Sequence, residues 1–541
     1  MSRRAWACGL VALAVVVTAA LRLRVLHVPL DRDEGEYAYF GQLLLHGVPP
    51  YAGAYNMKLP GIYGAYAASL GLFGQTPSGV HLGLLVVSAA TTVLVGVLAS
   101  RLAGPVDGAL AAAGFAVLAI NPKLLGQAAY AEHFVLLPAI AGSLLLLKAI
   151  EARRLGFFLA SGLLFGLALL MKQSGGFFAA GAALYVVIGR GEAPVPGVAE
   201  RLGAAAALVG AALAPLALAC LLLVSAGTFS TFWFWAVEYA AAYASATGPA
   251  TAAANLSRAV GAIAPSCSAM LGLAAVGLAA LVRDAVLSRR DFVLLLLLAG
   301  AGATAAGLHF RAHYFLLLVP AVAILAALGL GAFAGLLSAL RSRALRHGLP
   351  AVLAAIALVQ PLWASRAVLW ELPPAQVSRA IYGRNPFPES IEIARYIRAR
   401  TGPDDRVAVV GSEPQIYFYA GRRSATGYIY TYPLMELHPY ASRMQQEMIR
   451  EIEAAAPKYL VFVSATRSWL VKPQSDTTIF QWFEAYQRNF KRVGVIDVLP
   501  RQETVYAWDD QAAGYTPRSD VWLAVFERRD AAHTIRDRGH R

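Results

Sequence analysis

The chain has 541 residues, 58% of them hydrophobic and only 14% charged, with a mean hydropathy of +0.55 and a formal net charge of +14. Soluble proteins carry about 25% charged residues, so the composition excludes a large soluble core and points to a polytopic membrane protein. The basic excess lies largely in short loops between apolar runs, without an aromatic-interleaved basic patch, so it speaks for membrane topology rather than nucleic acid.

Residues 5–26 form the first long apolar run. Met1-Ser-Arg-Arg before it and Thr18-Ala19-Ala20 within it imitate a signal peptide, but the run continues to Leu26 and many further runs follow, so an uncleaved first span is expected. Asp31-Arg32-Asp33-Glu34-Gly35-Glu36-Tyr37 comes next, a burst of carboxylates at the membrane surface, where clustered ionisable groups suggest function. Residues 27–78 are too long for a simple turn. Tyr37–Leu45 and Ile62–Leu72 read as amphipathic helices lying in the interface.

Ten further spans are predicted at 79–100, 107–120, 133–150, 156–171, 175–189, 203–224, 259–282, 292–308, 314–336 and 348–366, about eleven in all. Arg3, Arg4, Arg101, Lys148, Arg153, Arg154, Arg190, Arg201, Arg283, Arg289, Arg290, Arg341, Arg343 and Arg346 alternate onto one side, which the positive-inside tendency makes cytoplasmic. Arg22 and Arg24 run against it and are expected to snorkel or to meet an anionic ligand. Phe229-Ser-Thr-Phe-Trp-Phe-Trp235 reads as an aromatic belt. The three cysteines, Cys8, Cys220 and Cys267, sit in apolar segments, so no disulfide framework is expected in the polar region.

Beyond Ser365 the composition turns polar. Helices at 390–400, 440–455 and 478–489 alternate with strands at 406–411, 458–464, 491–498 and 521–527, which predicts a small α/β domain over 367–529 and a disordered tail over 530–541. The fold class read from the chain is thus a polytopic α-helical membrane domain, 1–366, followed by an extracytoplasmic α/β domain.

The unusual polar residues all fall on the outer side: Asp33, Glu34 and Glu36 after span one, Lys58 in the first outer loop, Glu132 and His133 at span four, Lys172 after span five, and His309, Arg311, His313 and Tyr314 at span ten. Each cation alone is as well explained by interface anchoring; together they suggest one site. Lys58, Lys172 and Arg311 suit phosphate, Asp33 suits proton abstraction, and Glu132 suits a sugar or acceptor hydroxyl. His309 and His313, spaced i, i+4, suit a metal only weakly; packing beside aromatic rings is the better expectation. No GxGxxG or P-loop occurs, so no soluble nucleotide donor is indicated.

Asp33-Glu34-Gly35-Glu36-Tyr37-Ala38 after an uncleaved first span resembles the first outer loop of GT-C glycosyltransferases, above all the dolichyl-phosphate-mannose protein mannosyltransferase-like group with its bacterial aminoarabinose transferases. Lys58-Leu59-Pro60 is similar to that group's Lys-Pro-Pro motif, with Met57 where a glutamate often precedes the lysine. Ala131-Glu132-His133-Phe134, Leu169-Leu170-Met171-Lys172 and Arg311-Ala-His-Tyr314 resemble its later motifs.

The resemblance implies an inverting transferase that moves a sugar from a polyprenyl-phosphate donor to an acceptor hydroxyl on lipid, polysaccharide or protein. Asp33 with Glu34 would be catalytic. Lys58, Arg311, Lys172 and Tyr314 would hold the donor phosphate, and Glu132, His133 and Tyr37 the sugar or acceptor. No cofactor is required, and a divalent metal has no support. The expected setting is the inner membrane, with the N-terminus cytoplasmic and the C-terminal domain periplasmic. A flippase for lipid-linked saccharides and a GT-C-like glycan ligase or polymerase are the competing readings. Paired broken helices, the mark of a transporter, are not evident.

Overall fold

The computed structural model describes residues 3–188, 197–284 and 287–529; the predicted tail 530–541 and the loop cation Arg190 lie outside them. Helices α1 (Arg3–Arg24), α2 (Arg32–Leu45), α3 (Pro60–Phe73), α4 (Pro77–Ala103), α5 (Pro105–Leu118), α6 (Ala131–Ala152), α7 (Leu155–Met171), α8 (Gly176–Ile188) and α9 (Val198–Ser225) make the first part of the bundle. Next come α10 (Phe229–Trp233), α11 (Ala240–Ser245), α12 (Pro249–Ile263), α13 (Ser268–Val282), α14 (Leu287–Ala305), α15 (Val319–Leu336) and α16 (Arg343–Ala364). Start signals are local: Thr76 caps α4 ahead of Pro77, and Ser342 caps α16.

Among the described residues seven helices are long and apolar enough to cross a membrane, and the chain is a multi-pass membrane protein. The remaining expected spans take other forms. The stretch predicted as one span at 259–282 is a pair bent by 103° at Cys267, α12 with its following turn against α13. Those predicted at 107–120, 156–171 and 175–189 are shorter apolar helices of at most 17 residues. The bundle packs through small residues. A Cβ on Gly277 or Gly329 would strike the backbone of the facing helix, so α13 and α15 approach closely there.

The C-terminal region adds α17 (Pro374–Tyr382), α18 (Phe387–Arg400), β1 (Arg406–Val410), α19 (Gln415–Ala420), β2 (Arg423–Ser424), α20 (Tyr432–Met435) and α21 (Ala441–Ala455). It ends with β3 (Tyr459–Ser464), α22 (Thr466–Trp469), α23 (Thr478–Tyr486), β4 (Phe490–Asp497), β5 (Val505–Trp508), α24 (Asp510–Gly514) and β6 (Trp522–Arg528). The strands form one sheet in the order β2-β1-β3-β6-β4-β5, with β1 parallel to β2 and β3 and the other pairs antiparallel. Helix α17, strands β2 and β5 and the short helices α19, α20, α22 and α24 have no counterpart in the sequence reading, being too short or too polar to carry a periodic pattern.

Three expectations are corrected. Helix α2 is not an amphipathic interfacial helix: eleven of its fourteen residues are buried, because the C-terminal domain lies directly on it. An added Cβ on Gly35 would come within 2.6 Å of the Gln415 Cβ. The aromatic run at 229–235 is only partly a belt. Trp233 is exposed, but Phe232 packs against Tyr51, and Trp235 joins Tyr55, Tyr239 and Tyr428 in the core beneath the C-terminal domain. Finally, Arg22 neither snorkels nor waits for a ligand. It is buried and donates to the carbonyls of Gly126 and Ala119 and to Ser88 Oγ, satisfying backbone left open where α5 ends.

Candidate active site

The carboxylate burst divides by helical spacing. Asp31 is the N-cap of α2: its Oδ1 accepts from the Glu34 amide at 2.9 Å, and Glu34 Oε2 accepts from the Asp31 amide at 3.2 Å, a reciprocal capping box. Glu34 Oε1 also accepts from the Ala129 amide and pairs with His81 Nε2 at 3.1 Å. Asp33 and Glu36, three residues apart on another face, line a cavity of about 240 Å³ between the bundle and the C-terminal domain.

The cavity also receives Lys58 from the first outer loop and Arg311 and Tyr314 from the turn before α15. Tyr239 and Tyr243 enter beside α11, and Tyr430, Tyr432 and Glu436 come from the loop between β2 and α21. That loop is pinned to the membrane domain. Tyr55 N donates to Gly427 O at 2.7 Å, the Ser424 amide donates to Tyr39 Oη at 2.8 Å, and Glu451 accepts from Thr426, Gly427 and Tyr55. Tyr430 Oη then reaches Asp33 Oδ1 at 2.9 Å. Arg32 locks the same junction, pairing with Glu413 at 2.5 Å and donating to Ser412 O and Tyr432 Oη.

Electrostatics separate the carboxylates further. Burial works to raise the Asp33 carboxyl, but Lys58, His313 and the Tyr430 hydroxyl outweigh it, so Asp33 sits below the ordinary aspartate value and is ionised at neutral pH. Burial pushes Glu36 well above the ordinary value, only partly countered by Lys58 and Tyr63, so Glu36 is a neutral acid there. Its Oε2 has no hydrogen-bond partner among the described residues. Burial, with Glu34 and Asp33 nearby, raises Asp31 to about 8. Lys58 is held charged: burial opposes the charge, but the Asp33 carboxylate more than restores it.

Two cations in the cavity make no direct ion pair. Among the described residues no carboxylate lies within 4 Å of Lys58 or Arg311, whereas Arg32 is paired with Glu413. Lys172 is taken as well: its Nζ pairs with Glu132 and lies 3.7 Å from the Tyr314 ring centre. Lys172, partly buried, and Glu132, buried, therefore form a pair behind Tyr314, which is itself on the cavity wall.

Of the other candidates only His313 is on the cavity wall; His133, Tyr37 and His309 lie outside its lining. His133 is buried, with Nε2 3.1 Å from Gly126 O, outside the cavity lining. Tyr37 packs among Tyr63 and Tyr66, with Lys58 Nζ 6.0 Å from its ring. His309 stacks on Tyr243 at 4.2 Å and His313 on Tyr130 at 4.1 Å. No cluster of three His, Cys, Asp or Glu side chains suited to a metal occurs among the described residues.

Sequence reasoning missed Tyr430, Tyr432, Tyr239, Tyr243 and Glu436. The alternating Tyr428-Ile-Tyr430-Thr-Tyr432 was the available signal for the first two. It also grouped Glu34 with Asp33 as catalytic, although the Asp31-x-x-Glu34 spacing is that of a helix start; the structure turns Glu34 away from the cavity to cap α2 and bind His81.

Residues 60–214 match the family model of dolichyl-phosphate-mannose-protein mannosyltransferase, a stretch that holds Glu132, His133 and Lys172 but ends short of Arg311 and begins after Asp33 and Lys58. No curated protein matches the chain in sequence. Among solved structures, the fold is similar to ArnT from Cupriavidus metallidurans bound to undecaprenyl phosphate, at 16% identity and a TM-score of 0.60 over 96% of this chain and 98% of that one. It is also similar to the oligosaccharyltransferase AglB from Archaeoglobus fulgidus in complex with an inhibitory peptide and a dolichol-phosphate, at 14% identity and a TM-score of 0.52 over 95% of this chain and 75% of that one. A third similar structure is the mycobacterial arabinofuranosyltransferase AftD, at 15% identity and a TM-score of 0.50 over 97% of this chain and 42% of that one. The chain is a GT-C-fold membrane protein, similar through residues 60–214 to the dolichyl-phosphate-mannose-protein mannosyltransferases.

Proposed function

We propose that this protein is an inverting glycosyltransferase that moves a sugar from a polyprenyl-phosphate donor to an acceptor hydroxyl. The observation that carries the reading is an ionised Asp33 in the same cavity as two cations, Lys58 and Arg311, neither of which makes a direct ion pair among the described residues. Two cations converging on one cavity with a single ionised carboxylate leave an excess of positive charge, which suits an anionic ligand. The lipid phosphates named with the similar ArnT and AglB structures are anions of the required kind.

In this reading Lys58 and Arg311 bind the donor phosphate, with Tyr314 beside them. The Asp33 carboxylate takes the proton of the acceptor hydroxyl. The hydroxyl oxygen forms a bond to the anomeric carbon from the face opposite the phosphate. The carbon–oxygen bond to phosphate breaks, its electron pair goes to the phosphate oxygen, and polyprenyl phosphate leaves with its charge held by the two cations. Neutral Glu36, with one oxygen unpartnered, is suited to a sugar hydroxyl. The Glu132–Lys172 pair positions Tyr314 from behind rather than touching phosphate, and Glu34 and His133 hold the backbone around the site.

The acceptor, whether lipid, polysaccharide or protein, enters between the tyrosines of the 228–243 and 425–436 segments. The site would face the periplasm from the inner membrane, with residues 1–366 as the membrane unit and 367–529 as a soluble unit that supplies one wall. The test is to incubate the purified protein and Asp33→Asn with a panel of polyprenyl-phosphate hexoses and pentoses and a membrane extract. Consumption of one donor by the wild type alone, with donor still bound by the variant, supports the reading and names the sugar. Equal turnover by both removes Asp33 as the base.

A further inference from the structure

A second cavity, of about 650 Å³, opens where the C-terminal domain meets the membrane bundle, lined from both sides. The C-terminal domain contributes Arg395, Arg398 and Arg422; the membrane domain contributes His46 at the end of α2 and Thr76 and Pro77 at the start of α4. No carboxylate belongs to the lining. The 27-residue α4 is a membrane-crossing helix, so its first turn marks the depth of the bilayer surface and directs the positive end of its dipole there.

The arginines differ in how they are held. Arg422 is fixed by backbone acceptors, donating to the carbonyls of Ala420, Gly421, Arg398 and Thr401. Arg398 is exposed, with no hydrogen bond or ion pair from its guanidinium among the described residues. Arg395 is exposed and tied only to Glu392 one turn earlier, an exposed pair of small worth. The apolar rim is adjacent: Leu72, Phe73 and Leu45, at the ends of α3 and α2, are 77%, 40% and 42% exposed. Cations above an exposed apolar edge match the charge order of an anionic lipid standing in a leaflet.

We infer that this cavity binds the phosphate of an anionic membrane lipid, which bridges the C-terminal domain to the bundle at a site separate from the one occupied by the donor. Arg395 and Arg398 supply the headgroup charge, the first turn of α4 supplies the dipole, and Leu45, Leu72 and Phe73 border the acyl chains. Neither Arg395 nor Arg398 lines the Asp33 cavity, so the inference does not depend on the proposed reaction.

The experiment is native mass spectrometry of the full chain released from detergent with phosphatidylglycerol, with phosphatidylcholine, or with phosphatidylglycerol plus excess inorganic phosphate. The variants are Arg398→Gln, Arg395→Gln/Arg398→Gln, Lys58→Met to empty the other cationic cavity, and Lys491→Gln as an exposed charge-matched control on β4. The expected result is preferential retention of phosphatidylglycerol by the wild type, Lys58→Met and Lys491→Gln, and weakening by about fivefold per arginine removed. The lipid-free thermal midpoint should be unchanged in Arg398→Gln, which separates binding from folding. Equal retention of the two lipids overturns the inference, as does undiminished retention by the double variant. Loss in Lys58→Met alone assigns the lipid to the Asp33 cavity and also overturns it. Displacement by inorganic phosphate makes the occupant a free anion and overturns the lipid assignment.

Discussion

Tyr430 Oη donates to Asp33 Oδ1 at 2.9 Å, joining residues 397 apart in sequence and tying the candidate base to the C-terminal domain. A hydrogen bond to the ionised form helps keep Asp33 below the ordinary aspartate value. Turnover should therefore be flat through neutral pH and fall only as pH drops below about 4, where Asp33 takes up its proton. Tyr430→Phe should move that acid limb upward and lower kcat by about tenfold, measured as a pH–rate profile. An unmoved limb would show that Tyr430 does not act on the base.

Lys58→Met and Arg311→Gln should each reduce kcat/KM by about 10²–10³-fold, the usual cost of removing a fixed charge from a developing anion. Lys172→Met should act differently. It leaves Glu132 buried without its partner, so the expected loss is thermal stability of about 3 kcal/mol, with donor affinity preserved. Donor titration and thermal unfolding on the three variants separate phosphate binding from structural support.

Glu34→Ala removes the partner of both His81 Nε2 and the Ala129 amide and half of the capping box. A loss of about 3 kcal/mol is expected. Glu34→Gln keeps the shape and should retain measurable turnover, unlike Asp33→Asn. Matching inactivation by both amide substitutions would return Glu34 to the reacting atoms.

Asp31 carries a pH dependence of opposite sign to that of Asp33. Its carboxyl is raised from 3.8 to about 8 in the fold by burial and by Glu34 and Asp33. Between those values the folded chain holds a proton that the unfolded chain has released, so stability falls as pH rises across that window and is lowest above it. Asp31→Asn, which keeps the N-cap, should flatten the thermal midpoint between pH 4 and pH 8. A midpoint as pH-dependent as in the wild type would exclude Asp31 as the source.

Gly35→Ala places a Cβ 2.6 Å from the Gln415 Cβ and 2.8 Å from its backbone nitrogen. The backbone cannot swing aside, so about 1–3 kcal/mol of destabilisation is expected, with turnover lost as the domain lifts. Gly64→Ala, with nothing within 4 Å on α3, serves as the matched change without a clash.

The parts of the fold legible in the sequence are those written in a periodic or continuous apolar pattern: the long spans, and strands β1, β3, β4 and β6. The 103° break at Cys267 was hidden because apolar residues continue on both sides of it. At the site, Asp33, Lys58, Arg311 and Tyr314 were visible as charge or hydroxyl set against a membrane end, and the structure gathers them around one cavity. The wall made by Tyr430, Tyr432 and Glu436 was invisible, because tyrosines in a polar domain are unremarkable until the chain folds back across nearly four hundred residues. Lys172 and Glu132 read as two separate candidates, whereas their direct pairing is purely tertiary.

The Gly35–Gln415 approach, the Arg32–Glu413 pair and the Tyr430–Asp33 bond all join the opening helix of the first outer loop to the last third of the chain. During synthesis residues 412–436 are made after the last helix of the bundle, Arg343–Ala364. The membrane portion made before them lacks one side of the chamber. A chain that ended before Tyr430 would lack both the hydroxyl that holds Asp33 and one wall of the cavity.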